Sequence, residues 1–209
     1  MKTKGVTTLS EKPILFNTEM VRAILDGRKT QTRRVVVPHY RDGDAGFNVI
    51  TNAATGKFLY IEYYDEDESS TERRLNPPYM PGDILYVRET WAAMNTTPGG
   101  HFRPHPVYYY KADDPDIRPI SWDRDAGKWR PSIHMPKAAA RIFLKVKDVR
   151  AERVQDITEE AARAEGCPSE YSLNPRGWFR SIWDRVSNDN TNWDANPWVW
   201  VYEFERIQR

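Results

Sequence analysis

Cysteine is nearly absent: Cys167 stands alone in 209 residues. A single thiol cannot close an internal disulfide, so a stapled secreted scaffold is excluded and a reducing, cytoplasmic setting is expected. Long apolar runs are missing too. Nowhere do about 18 apolar residues follow one another, the length at which a membrane helix begins. The N-terminal "MKTKGVTTLSEKPILF" has no apolar stretch after its lysines, so no signal peptide is expected. Charge of one sign is scarce as well: 31 basic and 30 acidic residues leave a formal net charge of +1. A general polycation is thereby excluded, and any nucleic-acid contact has to come from local clustering. Neither a Gly-rich phosphate loop nor an internal repeat is visible.

Large rings are plentiful, with 8 Trp, 11 Tyr and 7 Phe. Together with 39% hydrophobic residues they can build a core despite a mean hydropathy of -0.77. Global disorder is not expected. The length suits one substantial domain spanning 1–209.

Along the chain, "NTEMVRAILDG" predicts a short helix capped by Thr18, with Val21, Ile24 and Leu25 as its buried stripe and Gly27 ending it. "TRRVVV" follows as a strand stopped by Pro38. Residues 38–80 form an expected insertion, a hairpin around "KFLYIEYY" with "DEDESSTE" as a solvated loop. A Pro-Gly-Asp turn then feeds a strand from Ile84 to Trp91. A second excursion, 95–132, contains a short strand at "VYYYKA" and has the length of a functional loop. "ARIFLKVKDVRAERV" alternates as a half-buried strand. "DITEEAARAEG" predicts a helix, with Asp156 and Glu159 at capping-box spacing and Gly166 at its end. "PRGWFRSIWDRV" is another helix. "NPWVWVYEFERI" is a closing strand whose Trp198, Trp200 and Tyr202 share one face and read as core. Strands outnumber helices and are scattered among them. That pattern predicts an α+β fold, a small mixed barrel with flanking helices.

The chemistry-bearing stretch is "ILDGRKTQTRRVVV", residues 24–37, where four basic residues and two threonines follow Gly27. Three readings are open. The stretch is a solvated basic edge with threonines chosen for strand propensity. Alternatively, Arg28, Arg33 and Arg34 bind phosphate or RNA. In the third reading Lys29 and Thr32 are catalytic. A threonine hydroxyl attacks only when a base removes its proton, and a lysine serves as base only when neutral, which burial or neighbouring cations favour. Residues three apart on a regular strand face opposite sides, so Lys29 and Thr32 can cooperate only if the chain turns between them.

Other candidates lie elsewhere. "VRETW" places Arg88, Glu89 and Trp91 near a strand end, as a stacking and hydrogen-bonding platform for a base or as core. "WRPSIHMP" offers Trp129 and His134 on a proline-rigid loop, where a structural histidine is the simpler alternative. His101 and His105 are separated by Pro104, which argues against a helical metal pair, and no metal or other cofactor is expected. Cys167 reads as a small packed residue.

Taken in order, these motifs resemble the ASCH domain, a β-barrel family related to the PUA RNA-binding fold. Its hallmark is a glycine, a lysine two residues on and an arginine five beyond the lysine. Gly27, Lys29 and Arg34 match it, and "PGDILYV", the helix ending "AEG" and the aromatic closing strand follow in the family's order. The resemblance covers 13–37, 79–91, 138–167 and 197–207 and implies a PUA-like barrel carrying two long insertions. In length the chain is similar to the larger ASCH-type proteins of bacterial and prophage genomes. One branch of the family removes the acetyl group from N(4)-acetylcytidine using a lysine, a threonine three positions later and a glutamate in the later helix. The positions that match are Lys29, Thr32 and Glu165, with Arg34 holding framework or substrate. The resemblance therefore implies an amidohydrolase acting on a nucleoside or nucleic acid, with an RNA-binding module or a ribonuclease as alternatives, and no membrane association.

Overall fold

A computed structural model describes residues 11–38, 44–55, 58–96, 101–113 and 128–208. The remaining positions, which include the N-terminal segment and parts of both expected insertions, lie outside the described residues. The chain divides into two compact units. Met1–Lys29, Gly82–Lys145 and Glu205–Arg209 make the first; Thr30–Pro81 and Val146–Phe204 make the second.

In the first unit, β1 (Glu11–Leu15) runs parallel to β6 (Ile84–Arg88), with Glu11 opposite Ile84 and Leu15 opposite Arg88. β1 is an edge strand, which is where Pro13, lacking an N–H, is tolerated. The start of β9 (Phe143–Arg153) pairs antiparallel with β6 on its other side. Helix α1 (Thr18–Leu25) buries Val21, Ala23 and Ile24 at helical spacing. Its cap is Asn17, whose side chain accepts from the Met20 amide at 2.8 Å. Thr18, the expected cap, is instead the first helical residue. Gly27 has φ +76°, the left-handed conformation that terminates the helix without a Cβ penalty.

The strand expected from Ile84 to Trp91 stops at Arg88. Glu89 and Thr90 leave the ladder, and β7 (Trp91–Thr96) begins a separate hairpin with β8 (Phe102–Tyr110). The break allows the Glu89 carboxylate to turn inward to Arg141, whose Nε and Nη2 donate to it at 2.9 and 3.1 Å. Two single-turn 3-10 helices, Ser132–His134 and Lys137–Ala139, follow.

In the second unit, β2 (Gln31–Val35) pairs antiparallel with β10 (Trp198–Ile207), and most of β9 lies here. Residues 44–75 form three strands, not the expected hairpin: β3 (Gly46–Thr51), β4 (Phe58–Tyr64) and β5 (Ser70–Leu75) make an antiparallel sheet. The acidic loop is correspondingly shorter. Asp65 accepts from the amides of Asp67 and Ser69, closing the turn, and the "STE" portion joins β5. Helix α2 (Glu159–Ala164) is capped by Thr158, which accepts from Ala161. Asp156 instead closes the preceding 3-10 turn, accepting from the Arg153 amide. Helix α3 (Pro175–Val186) starts at a proline behind the Asn174 cap and buries Trp178, Phe179 and Trp183. Phe179 and Trp183, four apart, pack with ring centroids 5.8 Å apart.

The architecture is α+β, with three α-helices among the described residues and strands in sheets of five, three and two. None of these sheets closes on itself among the described residues. The expected closed barrel is therefore not seen among the described residues, whose strands form open sheets.

Candidate active site

Within the opening stretch the basic residues have different fates. Arg28, exposed, donates to Asp26 at 2.9 Å and is neutralised locally. Lys29 is only 3% exposed, its amide bonded to the Ala23 carbonyl at 3.0 Å and its ammonium 5.7 Å from the Phe16 ring centroid. It precedes β2, so the strict strand alternation that starts at Gln31 does not extend to it.

From Gln31 onward the alternation is strict, because β2 is laddered to β10. Thr32 stands opposite Tyr202, Arg33 opposite Val201 and Arg34 opposite Trp200. Directly opposed residues share a face, and neighbours along a strand alternate. Thr32, Arg34, Trp200 and Tyr202 therefore occupy one face; Gln31, Arg33, Val201 and Glu203 occupy the other.

On the second face Arg33 is wholly committed to internal partners. Its Nη1 donates to Glu165 Oε1 at 2.9 Å, and its Nη2 and Nε donate to Glu152 Oε1 at 2.6 and 3.1 Å. Its guanidinium also lies 5.6 Å from the Phe179 ring centroid. Arg150 extends the chain of charges, bonding Glu152 at 3.1 Å and Glu203 at 2.7 Å, and Gln31 donates to Glu203 at 3.0 Å. Glu165 caps the C-terminal end of α2, where its amide bonds Ala161 and Gly166 follows with φ +104°. The end of α2 docks beside β2 through Thr30 N to Ala164 O at 2.8 Å. A carboxylate 4% exposed is thus fixed by a buried arginine.

The first face has a different character. Thr32 is buried, whereas Arg34 reaches solvent. Burial lowers the Arg34 pKa from its ordinary value, and the nearby Tyr79, Glu165 and Tyr202 oppose that shift. Tyr79, on the 76–81 connection after β5, packs edge-on against Tyr202 with ring centroids 5.1 Å apart and an interplanar angle of 66°. Burial raises the pKa of both phenols. Tyr202 is 0% exposed, and its hydroxyl meets no hydrogen-bond partner at ordinary geometry, although the nearby Tyr79 backbone acts to lower its pKa.

The other sequence candidates gather in the first unit. Arg88 donates to the carbonyls of Met135, at 2.8 Å, and Ile133, so its guanidinium fixes the 131–139 segment. Glu89, 1% exposed, is held by Arg141, which also bonds both Asp113 oxygens at 2.7 Å; burial raises the Glu89 pKa despite that arginine. Trp91 is buried, pairs its backbone with Arg130 and leaves its indole N–H unpartnered. Trp129 is half-buried, and His134 is exposed on its 3-10 turn. Cys167 is buried. A cleft of about 550 Å³ beside Leu25, Arg141, Ile142 and Arg206 includes none of the sequence-derived site residues.

Sequence reading missed Tyr79, Glu152 and Arg141, and it took Tyr202 for plain core. Strand alternation could have placed Tyr202 beside Thr32, had the register of β10 on β2 been known.

No family model matches the chain, and no curated protein matches it. Among solved structures, it is similar to an ASCH domain from Lactobacillus crispatus JV V101, at 11% identity over 96% of this chain and 81% of that one, TM-score 0.37. It is also similar to a DUF984 protein from Enterococcus faecalis V583, at 11% identity over 97% of this chain and 83% of that one, TM-score 0.39.

Proposed function

We propose that this chain hydrolyses the amide of an acylated cytidine, free or within a nucleic acid. Thr32 is the nucleophile, Lys29 its base and Glu165 a fixed carboxylate that orients the charges around them. The observation that carries this reading is burial. Among the described residues only five polar or charged ones are buried, and Lys29, Thr32 and Glu165 are three of them; Arg33, which holds Glu165, is a fourth. Buried ionisable groups are costly and concentrate where chemistry needs them. Burial is also the condition under which a lysine becomes a base.

In the reaction, Thr32 Oγ bonds to the acyl carbon while Lys29 Nζ takes its proton, and the carbonyl pair moves to oxygen. Collapse breaks the C–N bond, and the cytosine amine leaves with the proton from Lys29. Water then adds to the acyl-threonine, Lys29 takes the water proton and returns it to Thr32 Oγ, and the carboxylic acid departs. Gripping of a phosphate backbone is the weaker reading, since Arg28 and Arg33 are paired within the chain.

The test is incubation of the purified protein with N(4)-acetylcytidine, following cytidine and acetate by chromatography. Turnover that disappears in both Lys29→Ala and Thr32→Ala supports the assignment. Absent turnover on the nucleoside and on acetylated RNA overturns it.

A further inference from the structure

Tyr202 is buried completely, yet its hydroxyl is without a hydrogen-bond partner. A buried orphan hydroxyl is destabilising, and phenylalanine would fill the same space without that cost. The hydroxyl sits on the face that Thr32 shares, on the residue directly opposite it, with Arg34 one step along β2 on the same side. Tyr79, whose ring packs edge-on against Tyr202, is half-buried on a connection outside the strands.

We infer that Tyr202 supplies the hydrogen-bond donor for the ligand's carbonyl oxygen on this face, and that Tyr79 covers the donor until the ligand's ring takes its place. The inference rests on the hydrolytic reading and deepens it. When Thr32 Oγ attacks, the carbonyl carbon gains a bond, its π pair passes to oxygen, and the resulting O⁻ accepts from Tyr202 O–H; on collapse the pair returns and the C–N bond breaks. The phenol keeps its own proton throughout. Its raised pKa fits that role, because the group remains a neutral donor wherever the enzyme operates. Arg34, exposed on the same face of β2, adds positive charge on the side of the developing anion.

The experiment compares wild type with Tyr202→Phe on N(4)-acetylcytidine and records thermal melting of both. Loss of one oxyanion donor lowers kcat by about 10²-fold with KM little changed. The variant should melt no lower than wild type, since an orphan hydroxyl has been removed. Tyr63→Phe, at another buried phenol of the second unit, controls for the chemical change and should keep full turnover. A Tyr202→Phe protein with wild-type kcat overturns the inference while leaving the hydrolytic reading intact. If wild type itself shows no turnover, that reading fails, and calorimetric binding of N(4)-acetylcytidine then judges Tyr202 separately. Weaker binding by Tyr202→Phe supports a carbonyl donor; equal binding, or none by wild type, overturns it.

Discussion

Thr32 faces Tyr202 across the β2–β10 ladder, while Arg33, one residue on, leaves by the opposite face and is bound there by Glu165 and Glu152. One strand thus separates two jobs. Its Thr32 side holds hydroxyls and an accessible guanidinium; its Arg33 side carries the ion pairs to Glu165 and Glu152, and the Glu165 charge also acts on Arg34.

Thr32→Ala should abolish amide hydrolysis, by at least about 10³-fold in kcat, as loss of a nucleophile does. Thr32→Ser keeps an Oγ and should retain measurable turnover. Initial rates on N(4)-acetylcytidine distinguish the two, and near-equal activity of the alanine and serine variants would remove Thr32 from the chemistry.

Arg33→Ala should act on stability. It removes the arginine that Glu165 and Glu152 share, leaving Glu152 its bond to Arg150, and breaking a buried pair in this way costs roughly 3–5 kcal/mol. Urea unfolding measures it. In an RNA-binding assay the same substitution should leave the salt slope unchanged, because the guanidinium has no free face for phosphate.

Alkaline pH should weaken the first unit through Tyr110. Its hydroxyl donates to the Ala139 carbonyl at 2.7 Å, and burial pushes its pKa from 10.0 to about 12. The folded chain therefore keeps a proton that the unfolded chain releases. The stabilisation is complete below about pH 10 and is lost as the pH rises through about 12. Tyr110→Phe should lower stability by about 1 kcal/mol at neutral pH and flatten the decline above pH 10. Denaturant titrations of both proteins from pH 8 to pH 11 would reveal a wild-type slope no steeper than the variant's if Tyr110 is not involved.

At the start of α1, Asn17→Ala should cost about 1 kcal/mol, the usual loss of an N-cap. Thr18→Ala should be close to neutral, since its hydroxyl is not the cap. Thermal melts of the two variants decide which residue begins the helix.

Helical periodicity, glycine at helix ends and strand alternation were legible along the chain. The spans of α1, α3, β9 and β10 follow from them, because each depends on neighbours within a few residues. The capping residues shifted by one or two positions. Asn17, Thr18, Asp156 and Thr158 are all competent acceptors, and only the path of the incoming backbone selects among them. The third strand of the 44–75 sheet was hidden because "SSTERRL" looks solvated until β4 offers it a ladder.

The sequence by itself determined which residues can do chemistry: Lys29, Thr32, three arginines and Glu165 are the right types at the right spacing. Tertiary structure decided what each is free to do. Whether an arginine grips a ligand or a carboxylate depends on partners distant in the chain, and Glu152 lies 119 positions from Arg33. Which face Thr32 shares depends on the register of β10, a property of two strands together. Even the importance of Tyr202 comes from an absence, a hydroxyl that packing buries and leaves without a partner, and no local pattern of residues encodes that.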